Sequence, residues 1–195
     1  MPRIAEARQP DVPTAKAEGH DVVIGSWAAV GAPAGLDPAV KDSLESALEV
    51  FVAQGYHAAA MDDIAEHAGV SKPVLYQHFP SKLELYLAIL DAACDAIIAN
   101  CRKALQETHD NKQRVAAAID AFYAYVGHDT GAFRLVFESD LTNEPAVRGH
   151  VDRVTTECAD MIAAVIQDDT ALPPAASRLL AVSLVGMAQV SARFW

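Results

Sequence analysis

Apolar residues recur at helical spacing along most of the chain beyond its first 36 residues. The first such run repeats at intervals of 4, 3, 1 and 3 residues and comprises Val40, Leu44, Ala47, Leu48 and Phe51. This spacing places the apolar side chains on one face of a helix. Asp37 is a candidate N-cap and Pro38 suits the first helical position, so the pattern predicts an amphipathic helix from there to about Gly55.

Two short apolar-periodic segments follow, at about Met61–Ala68 and about Lys72–Phe79. Gly69 supplies the positive φ that ends the first segment, and Ser71 is expected to cap the second. The pattern therefore predicts two helices of about two turns each, joined by a tight turn that contains glycine.

The rest of the chain reads as longer helices. Ser81 and Glu84 form a capping box that opens the first of them, and Asn143 is expected to cap a later one with Pro145 in its first turn. The predicted runs are, in order, 81–107, 111–127, 131–137, 143–167 and 174–195. No window alternates like a strand, so the predicted fold class is all-α with about eight helices.

Composition narrows the class of protein. The 195 residues are 52% hydrophobic with a mean hydropathy of +0.13, which excludes a wholly disordered or fibrous chain. The net charge of -11 argues against non-specific binding to nucleic acid or to anionic membranes. No continuous apolar run reaches the roughly 18 to 20 residues of a membrane span. The three cysteines, at positions 94, 101 and 158, form no C-x-x-C pair, which favours a reducing cytoplasm.

The segment from Val70 to Leu83 differs in charge from the rest of the chain. It holds two lysines and no acidic residue, so its local charge is +2. Two short helices joined by a glycine turn are typical of a helix-turn-helix, whose second helix lies in the DNA major groove. Ser71, Tyr76 and His78 offer donors to phosphate, and Gln77 offers an amide to a base edge. The alternative is an ordinary helical hairpin.

Residues 55–85, GYHAAAMDDIAEHAGVSKPVLYQHFPSKLEL, resemble the DNA-binding region of the TetR family of transcription regulators, whose signature runs G-V-S-x-x-x-L-Y-x-H/Y-F-x-x-K. The matches are Gly69, Val70, Ser71, Leu75, Tyr76, His78, Phe79 and Lys82. The resemblance implies that Leu75 and Phe79 are core residues and that Val74 and Gln77 face bases. The residues that it places near phosphates are Ser71, Lys72, Tyr76, His78 and Lys82, to which we add Lys41 in the first helix as a further candidate DNA contact.

The resemblance also implies a division of the chain. Residues 1–36 are expected to be a disordered tail, residues 37–82 a helix-turn-helix domain, and residues 83–195 a helical domain for effector binding and dimerisation. The stretches FRLVFESDLTNEP and LVGMAQVSARFW are similar to the actinobacterial regulators of fatty-acid synthesis within this family, which sense long-chain acyl-CoA.

The aromatic residues cluster in one part of the chain. Five of the thirteen fall between positions 122 and 137, and the residues alone favour neither a plain core nor a ligand cavity. The resemblance favours a cavity, an apolar tunnel for an acyl chain. Its expected lining is Phe122, Tyr123, Tyr125, Phe133, Phe137, Met161, Val165 and Met187.

Other chemistry is not expected. Cys94 and Cys101 are seven residues apart on one helical face and are expected to be small buried hydrophobes rather than a metal or redox pair. The histidines show no zinc spacing, so no metal and no cofactor are predicted. No nucleophile–base or paired-carboxylate spacing stands out, so the chain is not expected to be an enzyme.

Three departures from the family pattern matter. Residues 1–40 carry three basic against five acidic residues, so this arm should add little to DNA affinity. Ala60 stands where the family tends to have Ser or Thr before its second helix. The family's last two helices form its dimer interface, and Trp195 falls within the first of them. We therefore expect the final family helix to be missing and the homodimer to be weakened.

The resemblance thus implies a cytoplasmic, homodimeric regulator that binds a pseudo-palindromic operator in double-stranded DNA and responds to a small apolar effector, long-chain acyl-CoA, at genes of lipid synthesis. One alternative is a repressor of the same family that responds to another lipophilic molecule. The alternative of another class is a truncated remnant that no longer binds DNA, or a heterodimer partner.

Overall fold

The structure, a computed structural model, describes residues 38–127, 131–137, 141, 143–192 and 194. These residues form eight helices and no strand, which confirms the all-α class. The helices are α1 (Pro38–Gln54), α2 (Met61–His67), α3 (Lys72–His78), α4 (Lys82–Gln106), α5 (Asn111–Gly127), α6 (Ala132–Phe137), α7 (Pro145–Thr170) and α8 (Pro174–Ala192). The predicted tail at 1–36 and the predicted cap Asp37 lie outside the described residues.

The helix caps follow the sequence signals only in part. Ser81 Oγ accepts a hydrogen bond from the Glu84 N–H at 3.2 Å, as the capping box predicts. Ser71 makes no side-chain capping bond, contrary to expectation. Pro73 occupies the second helical position of α3 and has no N–H to donate, which removes one of the two groups that a capping hydroxyl bonds.

The predicted start of α7 was wrong by one residue. Its cap position is Glu144 rather than Asn143, and the helix continues three residues beyond the predicted end, to Thr170. Pro145 at the first helical position restricts the preceding residue to extended backbone. Glu144 has φ -72° and ψ 124° and is therefore the boundary.

The long helix α4 is the centre of the molecule. It packs along α5 on one side and α7 on another, contacts α6, and at its N-terminal end contacts α1. The helix α7 packs in turn along α8. Eleven of the 25 residues of α4 are buried, because neighbours cover it on several sides.

The head formed by α1, α2 and α3 shares its core with the rest of the chain. One continuous cluster of buried residues runs from Leu44 in α1 through α4 and α6 to α7. Three aromatic rings mark the junction, since the ring centroid of Tyr86 in α4 lies 5.4 Å from that of Phe51 and 5.2 Å from that of Tyr56. The Tyr86 hydroxyl donates to the Leu135 carbonyl of α6 at 3.3 Å. The predicted boundary at residue 82 is therefore crossed by a packed core.

The last helix is apolar and exposed. By length and composition α8 could cross a membrane, a test that core helices of soluble proteins and signal sequences also pass. Arg178 of α8 pairs with Asp160 of α7, and Ala181 is fully buried against α7. On its other side α8 exposes large apolar residues, among them Leu179, Leu180, Val182, Met187 and Val190.

Gly131 sits where α6 meets α1, and two features require glycine there. Its φ is +67°, in the left-handed region, and a Cβ at this position would lie 2.7 Å from Val52 Cγ1 and closer still to Val52 Cγ2. Gly69 in the turn between α2 and α3 has a similar φ of +65°, but a Cβ there would meet nothing within 4 Å.

We predict that Gly131→Ala lowers the free energy of unfolding by about 3 kcal/mol, because left-handed strain and overpacking against Val52 add. Gly69→Ala should cost about 1 kcal/mol from the strain alone. Urea unfolding followed by circular dichroism measures both. Adding Val52→Ala should recover part of the loss in Gly131→Ala and none in Gly69→Ala; equal costs for the two glycine changes would contradict the assignment.

Candidate nucleic-acid interface

The turn between α2 and α3 is built by the backbone. The Val70 N–H donates to the Ala65 carbonyl at 3.0 Å and the Gly69 N–H donates to the Glu66 carbonyl at 3.1 Å. Together with the positive φ of Gly69 this is a Schellman motif, in which Val70 packs against the core. The motif ends α2 and sends the chain into α3 in a defined direction.

Helix α3 has one buried anchor and a broad exposed face. Leu75 is 1% exposed and ties the helix to the core, with Phe79 partly buried beside it. The side chains around Leu75 face outward, and Tyr76 is 41% exposed. The exposed residues are Ser71, Lys72, Val74, Tyr76, Gln77 and His78, so the structure brings six of the eight predicted DNA contacts onto one element.

Lys72 is exposed but engaged with a carboxylate of α2. Its Nζ lies 2.6 Å from Asp62 Oδ1 and 2.8 Å from Asp62 Oδ2. This hydrogen bond raises the pKa of Lys72, so the side chain stays charged. An exposed ion pair of this kind contributes little to stability and can be exchanged for another anion.

Lys82, the second lysine of the segment, turns inward. Its Nζ donates to the carbonyls of Tyr56 at 2.8 Å and Ala59 at 2.9 Å, and lies 3.3 Å from the carbonyl of His57. The same ammonium group is 4.5 Å from the centre of the Tyr56 ring. Lys82 therefore holds the loop between α1 and α2 against the start of α4.

Sequence reasoning missed this role of Lys82. The motif marks the lysine as a candidate phosphate contact, but the three carbonyls are 23 to 26 residues away along the chain. No periodicity or spacing signals such a contact. The one available sign was Tyr56 itself, an aromatic residue directly after the predicted end of α1, able to pack under a cation.

The remaining features of the head lie in α1 and α2. Ala60 occupies the cap position of α2 in extended backbone and makes no side-chain capping bond, as the missing hydroxyl predicts. Lys41 lies in α1, but its side chain is outside the described residues. Glu49 of α1 lies 2.6 Å from His67 of α2, which links these two helices at the surface.

Most of the predicted effector-binding residues lie in the packed hydrophobic core. Six of the eight belong to the main hydrophobic cluster or pack directly against it: Phe122, Tyr123, Tyr125, Phe133, Phe137 and Met161. The ring centroid of Phe133 lies 5.0 Å from that of Phe137 and 6.1 Å from that of Phe122. Val165 lies outside the cluster, and Met187 is 60% exposed on α8. The structure thus unites the aromatic part of the predicted lining and separates Met187 from it.

Tyrosine hydroxyls in this cluster reach polar partners on neighbouring helices. The Tyr123 hydroxyl lies 2.5 Å from Ser191 Oγ of α8, and the Tyr125 hydroxyl donates to the Ala93 carbonyl of α4 at 3.5 Å. Burial raises the pKa of Tyr125, so this side chain remains a neutral donor.

Among the described residues no group of three or more His, Cys, Asp or Glu side chains is arranged to hold a metal ion.

Known proteins are similar in sequence to this chain. The profile of the bacterial regulatory proteins of the tetR family matches residues 44–89, which contain α2, α3 and the start of α4. The transcriptional activator FasR of Mycolicibacterium smegmatis, an HTH-type protein, is 49% identical over 152 residues, which cover 78% of this chain and 69% of that protein.

Solved structures share the fold. The fatty acid degradation regulator FadR from Bacillus halodurans superposes with a TM-score of 0.69 at 17% identity, over 82% of this chain and 85% of that chain. The regulator FadR from Bacillus subtilis, in complex with stearoyl-CoA, superposes with a TM-score of 0.63 at 19% identity, over 80% of this chain and 86% of that chain. The helical architecture, the exposed face of α3 and the extended identity to FasR agree: this chain belongs to the TetR family of helix-turn-helix transcription regulators.

Proposed function

We propose that the chain is a cytoplasmic regulator of lipid-synthesis genes that reads operator DNA with α3 and responds to long-chain acyl-CoA. The observation that supports DNA reading is the exposed face of α3, anchored from behind by Leu75. Val74 and Gln77 on this face are assigned to bases. Ser71, Lys72, Tyr76 and His78 are assigned to phosphates.

Lys82 is assigned a different part from the one its motif suggests. Its ammonium group holds the Tyr56 and Ala59 carbonyls, and a phosphate contact would require it to leave them. We therefore treat Lys82 as a positioning residue, which fixes the loop before α2 and, through it, the angle at which α3 stands on α4.

The proposed dimer uses α8. A regulator of two-fold symmetry reads a pseudo-palindromic operator with one α3 from each copy, in successive major grooves. The large apolar side chains on the outer side of α8, with Leu179 69% exposed, suit a helix that packs against a second copy.

The effector assignment is supported by the stearoyl-CoA bound to Bacillus subtilis FadR, whose fold this chain shares, and by the aromatic cluster between α4, α5 and α6. Phe122, Tyr123 and Tyr125 are half-buried, so the cluster has a side that a chain-like ligand can reach. An acyl chain entering there would part these rings and shift α5 against α4. The ligand changes DNA affinity only if it prefers one spacing of the two heads.

The first prediction from the proposed function concerns base reading. Gln77→Ala should lower the preference of the chain for its selected operator over a mutated one by about tenfold, because an amide contact to a base is lost. Tyr76→Ala should weaken binding to both DNAs alike, because a phosphate contact carries no sequence information. Gel shifts with a fragment selected from genomic DNA measure both effects. Gln106→Ala, an exposed change on α4, serves as the control, and wild-type binding by both head variants would refute the assignment.

The second prediction separates the two lysines. Lys82→Met should lower the free energy of unfolding by about 2 kcal/mol, because charged hydrogen bonds to three carbonyls are lost, and should leave the salt dependence of DNA binding unchanged. Lys72→Met should leave stability nearly unchanged and reduce the slope of log affinity against log salt by about one phosphate contact. Urea unfolding and salt-titrated gel shifts test this. A reduced salt slope in Lys82→Met with normal stability would restore the phosphate role.

The third prediction concerns the effector. Palmitoyl-CoA should raise the melting temperature, whereas free coenzyme A and unrelated lipophiles such as a steroid should not, because an apolar tunnel with a polar mouth recognises both parts of the molecule. Phe122→Trp, which fills the proposed entrance, should reduce this shift. Val115→Trp, on the exposed side of the same helix, should preserve it. No shift with any acyl-CoA, or a larger one with the steroid, would favour another lipophilic effector.

A further inference from the structure

Two cysteines from different helices lie on facing stripes of the core. On α4 the core-facing stripe that runs every three to four residues is Leu90, Cys94, Ile97 and Cys101, of which the first three are buried and Cys101 is half-buried. On α7 the corresponding stripe is Val147, Val151, Val154 and Cys158. The cysteine at the end of each stripe, Cys101 or Cys158, lies eleven residues after the first member of that stripe. Helices α4 and α7 pack along each other.

The register of the two helices is set by contacts one to two turns earlier. The Cys94 thiol donates to the His150 carbonyl at 3.8 Å, and Asp91 lies 3.1 Å from His150 Nδ1. Arg153 bridges both Asp91 and Asp95, at 2.8 Å and 2.7 Å. Residue numbers rise together on both helices, so α4 and α7 run parallel.

This register brings Cys101 and Cys158 to the same level. Cys101 is seven residues beyond Cys94 and Cys158 is eight beyond His150, which at 1.5 Å per residue are advances of about 10 Å and about 12 Å along parallel axes. Both cysteines are free rather than joined in a disulfide, and each thiol is near enough to the other to shift its pKa. The sequence places Cys94 and Cys101 on one helical face and predicts that both are buried hydrophobes; in the structure Cys94 is buried, whereas Cys101 is half-buried and lies level with the cysteine of another helix.

The two thiols of this pair differ in reactivity. The hydrogen bond from Cys158 and the nearby charge of Arg102 lower the pKa of Cys101, against the opposing effect of burial. The pKa of Cys158 is raised by the same hydrogen bond, by burial and by the charge of Glu157, with Arg102 opposing. Cys101 is half-buried and Cys158 is buried. The pair therefore combines a half-buried thiol of lowered pKa with a buried thiol of raised pKa.

Cys101 is the cysteine that small reagents can reach most readily, because it is half-buried while Cys94 and Cys158 are buried. Cys94 lacks these features, because it is fully buried and burial raises its pKa to about 12.

We propose that Cys101 and Cys158 are a reversible thiol–disulfide pair, which a hydroperoxide converts into a covalent crosslink between α4 and α7. The Cys101 thiolate attacks the terminal oxygen of the hydroperoxide, the O–O bond breaks, and the other oxygen leaves as alkoxide, or as hydroxide when the oxidant is hydrogen peroxide, while Cys101 becomes a sulfenic acid. The Cys158 sulfur then attacks the sulfenic sulfur, the S–O bond breaks, and the departing hydroxide takes the Cys158 proton to form water. Two electrons pass from the two sulfurs to the peroxide, and a dithiol reductant reverses the change.

The crosslink would restrict the movement of α4, the helix that joins the head to the rest of the core. Helix α4 begins at Lys82, contacts the head through Tyr86 one turn later, and continues past Cys101 to Gln106. A covalent bond near the C-terminal end of α4 would hold that end of the helix against α7. The crosslink does not depend on the effector or on DNA, so it can be tested without either.

The test is oxidation of the reduced full chain with one equivalent of hydrogen peroxide, followed by thiol counting after denaturation and by peptide mapping. The wild type should fall from three free thiols to one, and the map should contain a peptide pair joining residues 101 and 158. Dithiothreitol should restore all three thiols. Cys94→Ser is the matched control and should form the same crosslink, ending with no free thiol.

The variants of the pair distinguish the steps. Cys158→Ala should stop at a Cys101 sulfenic acid that a dimedone probe traps, and Cys101→Ala should leave both remaining thiols intact. Where Cys158→Ala is poorly folded, the rate of iodoacetamide labelling of the wild-type chain at each cysteine replaces it, with Cys101 expected to react at least tenfold faster than Cys94. A crosslink between two chains, irreversible oxidation of Cys101 beside a free Cys158, or equal labelling of Cys94 and Cys101 would overturn the proposal.

Discussion

The fold depends on how the N-terminal end of α4 holds the helix-turn-helix head. Lys82 occupies the first helical position of α4 and Tyr86 lies one turn later. The lysine satisfies carbonyls of the loop before α2, and the tyrosine ring packs on Phe51 and Tyr56. Backbone carbonyls in a loop need partners, and a cation on a rigid helix supplies them at fixed positions. The position of α3 is thus set by the position of α4.

This coupling gives the molecule a simple mechanical organisation. The core cluster continues from the head into α6 and α7, so no flexible linker separates the part that reads DNA from the part assigned to the effector. Gly131 against Val52 and the Tyr86 hydroxyl on the Leu135 carbonyl add two further contacts at the same junction. Packed elements move as discrete bodies rather than deforming continuously, so a displacement of α4 against α5 or α7 is carried to the head.

The sequence was informative about local features, except at the starts of α3 and α7, where a neighbouring proline overrides the predicted caps Ser71 and Asn143. Apolar spacing placed all eight helices, and Gly69 and the Ser81–Glu84 box marked helix ends that the structure confirms. It was uninformative wherever the contact joins distant segments, as for Lys82 with the loop at 56–59 and Cys101 with Cys158. Whether two distant residues meet depends on the direction of their side chains, whereas a motif gives only the residue type at each position. The aromatic residues of α5 and α6 lie between these two cases. They pack together, as their closeness in the sequence suggests, but Met187 does not join them.

The charge of the chain imposes its own condition on DNA binding. A net charge of -11 repels a phosphate backbone at long range, so attraction must come from the few cations that face it. With Lys82 turned inward, Lys72 is the lysine of the 70–83 segment left on the exposed face, and it is held by Asp62. When a phosphate replaces that carboxylate, one ion pair is exchanged for another, and the net gain is smaller than that of a free lysine. Hydroxyl and amide donors on α3 then supply a large share of the contacts, which favours recognition by shape and hydrogen bonding over binding by charge alone.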